Sequence, residues 1–146
     1  MGCANGVKPR KKVQIEINEL LNQTQKEEKA MSSTMVRQEM PKFTMDAYDA
    51  KTGHFKEVSS DDYKGKWTVI CFYPADFTFV CPTEIAAMNA HYDEFQALNT
   101  EILAVSVDSK FSHKRFAETE PILKGLKLTM GADSNQEVSR AFGCLL

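Results

Sequence analysis

Long hydrophobic runs are missing from this chain of 146 residues. No stretch approaches the roughly 20 apolar residues that a bilayer demands, and the first residues lack the apolar centre of a secretory signal. Cysteine is scarce. Cys3, Cys71, Cys81 and Cys144 are spaced irregularly and form no CxxC pair, so neither a disulfide framework, a zinc site nor a vicinal dithiol is legible from spacing. With 7 glycines and 5 prolines the chain is far from collagen-like or low-complexity composition. Net basic charge is missing too: 18 Lys and Arg face 20 Asp and Glu. The first 45 residues carry eight basic and five acidic side chains, and the remainder ten and fifteen. An acidic body of this kind argues against nucleic acid as the main partner, because phosphate binding needs a basic face. What is present, 42% hydrophobic and 26% charged residues, suits one soluble, cytoplasmic domain large enough to bury about two-thirds of its unfolded surface.

The chain reads in two parts. Residues 1–34 form an expected flexible or weakly helical N-terminal extension: Gly2, Gly6, Pro9 and the basic run Lys8, Arg10, Lys11, Lys12 favour an arm over packing. The segment from Val13 reads as a short amphipathic helix or a poor strand, and it is expected to lie outside the domain core because it has too few apolar residues to fix itself there. Gly2 beside Cys3 with basic neighbours raises lipidation, but position 6 is Gly6 where Ser or Thr is wanted. Met31 and Met35 are alternative starts. Residues 35–146 have the pattern of a compact fold. Phe43–Ala47 predicts a strand, and Gly53–Val58 a turn and a second strand. Trp67–Tyr73, short, continuous and apolar, predicts a central strand buried on both faces.

Ala75–Val80 is an expected loop. From Pro82, apolar residues at Ile85, Met88, Tyr92, Phe95 and Leu98 predict one continuous helix with Glu84 near its positive end. Glu101–Val107 predicts a second buried strand, and a helix follows through Phe116 to Leu123. Leu128–Met130 predicts a short strand, Gly131–Asn135 a turn, and Gln136–Phe142 the start of a helix. Alternation of strand and helix predicts an α/β domain with a largely parallel centre.

The join PADFTFVCPTE carries the sharpest chemical signal. Cys81 falls where a strand has ended and a helix begins, the place where backbone N–H groups and the positive end of the dipole converge and favour a thiolate. An isolated free cysteine is more often a small buried hydrophobe. Here Pro74 and Pro82 stiffen both sides of the loop, and the Thr78 hydroxyl can bond the sulfur or a bound oxygen.

Pro74, Thr78 and Cys81 in the pattern PxxxTxxC, inside FYPADFTFVCPTE, resemble the active-site signature of the peroxiredoxins, in particular the two-cysteine, alkyl hydroperoxide reductase C-like group. The likeness continues through EILAVSVD and FSHKRF and covers residues 35–146. It implies a thioredoxin-like α/β fold with a central mixed sheet flanked by helices, C-terminally incomplete. It implies a thiol-dependent peroxidase in which Cys81 attacks a hydroperoxide and becomes sulfenic acid. Thr78 would hold the peroxide, the Cys81 N–H would support the developing charge, and Pro74 would keep bulk water out. Glu84 would belong to a network around a catalytic arginine, or would simply complement the helix dipole.

The family's arginine and resolving cysteine lie beyond the segment resembled here, so no resolving cysteine is assigned in this chain. Arg140 matches a helical position and reads as a surface residue, while Cys144 reads as a core or end residue and Cys71 as core. No metal, haem, flavin or nicotinamide site is expected: His54, His91 and His113 are scattered, and His113 reads as structural or superficial. Electrons must then come from another thiol system, a thioredoxin or equivalent disulfide reductase. A homodimer or larger ring is implied, with Phe77 and Phe79 in subunit contacts or, on the plainer reading, in the core. The alternative function is a catalytically weak thioredoxin-like interaction, chaperone or peroxide-sensing module.

Overall fold

A computed structural model describes residues 35–145 together with Asn18. The expected arm, the segment after Val13 and the lipidation at Gly2 and Cys3 lie outside the described residues. The chain divides into two units, Met1–Gln38 and Glu39–Leu146. In the first, a turn closes with the Gln38 N–H donating to the Met35 carbonyl at 3.1 Å. The second carries the fold.

Its strands are β1 (Thr44–Asp49), β2 (His54–Ser59), β3 (Trp67–Phe72), β4 (Thr100–Ser106) and β5 (Thr129–Ala132), and its helices α1 (Cys81–Ala90), α2 (Tyr92–Ala97), α3 (Lys110–Thr119) and α4 (Glu137–Ala141). Among the described residues the sheet runs β2-β1-β5-β4-β3. β1 is antiparallel to β2 and β5, whereas β3, β4 and β5 are parallel. The expected mixed sheet flanked by helices is therefore present.

Strand β4 is the centre of burial. Leu103, Ala104 and Val105 are wholly inaccessible, and alternation sends Ile102 and Ala104 to one face, Leu103 and Val105 to the other. On the first face they meet Cys81 and Ile85 of α1, Tyr92 of α2 and Phe116 of α3. On the second they meet Phe43, Met45, Tyr63 and Val138 of α4. Two apolar layers with helices on both sides follow directly from one strand that is apolar at four consecutive positions, Ile102–Val105.

Several expectations need correction. WTVICFY is not central: β3 is the edge strand among the described residues, with Trp67 76% exposed and Val69 36%. A continuous apolar run reports that both faces are apolar, but it does not report that both edges are paired. The helix expected from Pro82 through Leu98 is two helices. Asn89 ties the end of α1 to the segment packed beside it, donating to the Gly125 carbonyl and accepting from the Lys127 N–H. His91 then leaves helical geometry at φ −100, ψ 11. Helix α3 stops at Thr119, because Glu120 precedes Pro121 and is pushed extended; Pro121–Leu123 forms a separate 3-10 turn. Gly131 and Ala132 extend β5 instead of forming the expected turn. A Cβ at Gly131 would stand 2.7 Å from Met45 Sδ, so the buried Met45 side chain occupies the space that a side chain at 131 would need. Cys144 is exposed, not part of the core, and Cys71 is half-buried.

Candidate active site

Strand β3 and helix α1 are joined by residues 73–80, and everything the sequence singled out lies on that connection or just past it. The Tyr73 N–H extends the parallel ladder to the Val105 carbonyl at 2.9 Å, after which Pro74 ends the strand. Phe77 then takes a left-handed conformation at φ 58, which a bulky side chain adopts only where its surroundings impose it, at about 1–3 kcal/mol. Helix α1 begins at Cys81 with Pro82 following and no side-chain cap. Cys81 is thus the first helical residue, and it is 6% exposed.

The structure brings Pro74, Thr78 and Cys81 onto one short connection and gives each a distinct setting. Pro74 is exposed and Thr78 half-buried. The Thr78 hydroxyl donates to the Ala75 carbonyl at 3.0 Å, so its proton closes the loop and its oxygen keeps its capacity to accept. Glu84 is exposed in the first turn of α1. Its charge is felt at Cys71: burial first, then the Glu84 carboxylate and Cys81, push the Cys71 thiol above its ordinary value. Phe79 is fully exposed and Phe77 56% exposed, which corrects the core reading of both, although the Phe77 ring stands 5.1 Å from that of Phe116. Arg140 is exposed, as expected.

Sequence reasoning missed what holds this connection in place. Asp76 is 7% exposed and His113 wholly buried, so the superficial reading of His113 fails. His113 Nδ1 lies 3.1 and 3.0 Å from the two Asp76 carboxylate oxygens, and Nε2 lies 3.1 Å from the Gly131 carbonyl. Both ring nitrogens face acceptors, Nδ1 the Asp76 carboxylate and Nε2 the Gly131 carbonyl, and the pair is shut away from water. Tyr73 donates its hydroxyl to Asp76 Oδ1 at 2.8 Å and Ser112 to Oδ2 at 2.7 Å. Burial and the Asp76 carboxylate push the Tyr73 hydroxyl far up, which keeps it a donor. The Asp76 N–H donates to Asp108 Oδ2 at 2.7 Å, and Ser106 donates to the same oxygen at 3.0 Å. The only sequence signal was the adjacency of Asp76 to the Thr78 and Cys81 motif and of Ser112 to His113 in FSHKRF. Pairing across 37 positions leaves no periodic trace.

A mixed sheet with a buried cysteine at the first turn of the helix that follows its edge strand has known relatives. Residues 36–146 match the AhpC/TSA family, and the chain belongs to it. The alkyl hydroperoxide reductase C of Staphylococcus aureus strain Mu50 is 40% identical over 112 residues, 77% of this chain and 59% of the relative. That of Staphylococcus haemolyticus is 41% identical over the same shares. The chain thus spans about three-fifths of the length of the curated relatives it matches. Among solved structures, Enterococcus faecalis AhpC is 41% identical with a TM-score of 0.73, covering 78% of this chain and 67% of that one. The reduced 2-Cys peroxiredoxin of Plasmodium vivax is 36% identical with a TM-score of 0.72, covering 77% and 71%. The fold is the thioredoxin-like fold of the peroxiredoxins. Among the described residues no helix is long and apolar enough to cross a membrane.

Proposed function

We propose that this chain provides the peroxide-reducing site of a thiol-dependent peroxidase acting on hydrogen peroxide and organic hydroperoxides. The observation that carries the reading is the position of Cys81 as the first residue of α1, uncapped and directly after the Pro74 and Thr78 loop. The Cys81 thiolate attacks the distal peroxide oxygen. An S–O bond forms, the O–O bond breaks, and the departing hydroxide or alkoxide takes a proton, leaving Cys81 as sulfenic acid. Backbone N–H at the helix start supports the developing charge. The Thr78 hydroxyl oxygen accepts from the peroxide O–H, Pro74 limits water at the loop, and Glu84 supports the helix terminus. Two thiol equivalents then reduce the sulfenic acid, releasing water and leaving a disulfide on the donor. Thioredoxin or another disulfide reductase is the matching partner class, in a cytoplasmic, reducing setting, and a homodimer or larger ring is the matching assembly.

The depth of Cys81 favours a second reading, an interaction or peroxide-sensing module of low turnover. Stepwise peroxide addition with intact-mass detection, beside Cys81→Ser, decides between them. A gain of one oxygen or formation of a disulfide at near-stoichiometric peroxide, absent in the variant, is the expected result. If both proteins stay unmodified until large excess, the interaction-module reading takes over. If the parent is oxidised once but does not turn over with a dithiol reductant, it is a sensor.

A further inference from the structure

Asp76 has its polar groups taken up by three separate parts of the fold. Its carboxylate accepts from Tyr73 just past the end of β3, and from Ser112 and His113 of α3. Its N–H donates to Asp108, in the turn that follows β4. His113 extends the chain of bonds to β5 through the Gly131 carbonyl. No buried side-chain nitrogen or oxygen among the described residues lacks a partner, so this polar cluster is fully satisfied inside an otherwise apolar layer. Its position is what gives it a consequence. The residue after Asp76 is Phe77, whose left-handed backbone must be imposed from outside. The residue after that is Thr78, whose hydroxyl folds back on Ala75. Fixing Asp76 on one side and the Phe77 ring on Phe116 on the other leaves the path to Thr78 and Cys81 little freedom.

We propose that Asp76 and His113 are positioning residues for chemistry at Cys81. They touch neither the sulfur nor a bound peroxide. They hold the loop so that the Thr78 oxygen and the start of α1 stand in the geometry that aligns a peroxide with the thiolate. Alignment of this kind is worth a great deal in rate, since misplacement by about 1 Å costs on the order of a hundredfold. The inference deepens the peroxidase reading and rests on it for its effect on rate. The clamp itself is read independently, from the motion of the loop.

The test uses the full chain with Ser112→Ala, Asp76→Asn, His113→Ala, His113→Asn and His113→Gln. Three quantities are read: the rate of peroxide reaction at Cys81, the rate of its alkylation by iodoacetamide, which needs no aligned peroxide, and amide hydrogen exchange of residues 74–82 against β4. Asparagine at 113 places an N–H donor where Nδ1 was, towards Asp76, whereas glutamine places one where Nε2 was, towards Gly131. The expected result is faster exchange in the loop with β4 unchanged in Asp76→Asn and His113→Ala. The peroxide rate falls about ten- to a hundredfold while alkylation changes little, and His113→Asn restores more of the rate than His113→Gln. Ser112→Ala removes a single bond and gives a smaller effect in the same direction, which keeps the test intact should His113→Ala fail to fold. Loop exchange and peroxide rate equal to the parent in the folded variants would overturn the proposal. So would peroxide and alkylation rates falling together, or equal recovery with asparagine and glutamine. A parent that does not react with peroxide overturns the peroxidase reading instead, and loop exchange then decides whether the clamp exists.

Discussion

Cys71 and Cys81 share one side of the sheet. Cys71 is registered against Ala104 and has the parity of Tyr73, and both belong to the layer that holds Cys81. What separates the two thiols is surroundings. Cys71 sits on a strand, half-buried, and burial, Glu84 and Cys81 all push its thiol upwards. A raised value means less thiolate at any given pH, so Cys71 is expected to resist iodoacetamide at neutral pH and to label only as the pH passes the ordinary thiol range. Peptide mapping after alkylation across a pH series checks this, and prompt labelling of Cys71 at pH 7 would contradict it. Thr78 makes the second prediction at this scale. Thr78→Val deletes the proton that closes the loop on Ala75 and the oxygen proposed to accept from a peroxide, so the peroxide rate should fall about ten- to a hundredfold. Thr78→Ser, which keeps the hydroxyl, should recover most of it. A valine variant as fast as the parent would remove Thr78 from the site.

At the level of elements, β5 is the place where packing leaves least room. It lies between β1 and β4, and a Cβ added at Gly131 would stand 2.7 Å from Met45 Sδ, so the buried Met45 side chain would have to shift. Gly131→Ala should destabilise the fold by about 1–3 kcal/mol through overpacking, read as a lower urea midpoint. Combining it with Met45→Ala should cost less than the two single changes together; strict additivity would show that Gly131 matters for another reason. The same strand shows why the sequence was legible only in part. Thr100–Ser106 could be read because four consecutive apolar residues between polar ends have few other fates. Cys81 at a helix start could be read from two prolines and a strand-to-helix boundary. The edge position of β3 could not, because apolar patterning records faces and not neighbours. The break at His91 could not, because it depends on Asn89 reaching Gly125 and Lys127, more than thirty residues away. Nor could the Asp76 and His113 pair, since an aspartate and a histidine 37 positions apart carry no period.

Across the molecule, charge is arranged in two regimes. Asp76 and His113 form a wholly buried pair, whereas the other ion pairs among the described residues lie on the rim. Rim pairs are individually weak and screened by salt, yet four of them bridge elements, and in two of those four the carboxylate is partly buried. Lys56 meets Asp49 at 3.0 Å across the β1 and β2 hairpin, and Lys66 meets Glu101 at 3.0 Å between the turn before β3 and β4. For Asp49, burial opposes ionisation, but the Lys56 ammonium and the N–H groups of Thr52 and Lys51 outweigh it and hold the carboxyl below its ordinary value. For Glu101, burial is likewise outweighed by Lys66 and Gln96. The sign follows from the folded value being the lower one. Each carboxylate contributes stability that is fully present above its unfolded value, about 4, and is lost as the pH falls through the folded value below it. The urea midpoint should therefore hold from neutral pH to about 5 and drop towards pH 3, less steeply in 1 M salt where rim pairs are screened. Lys56→Gln with Lys66→Gln should lower the neutral midpoint slightly and flatten the acid limb, because the carboxylates then differ less between folded and unfolded chain. An acid limb as steep in the double variant as in the parent would show that the Lys56 and Lys66 partnerships of Asp49 and Glu101 are not its source.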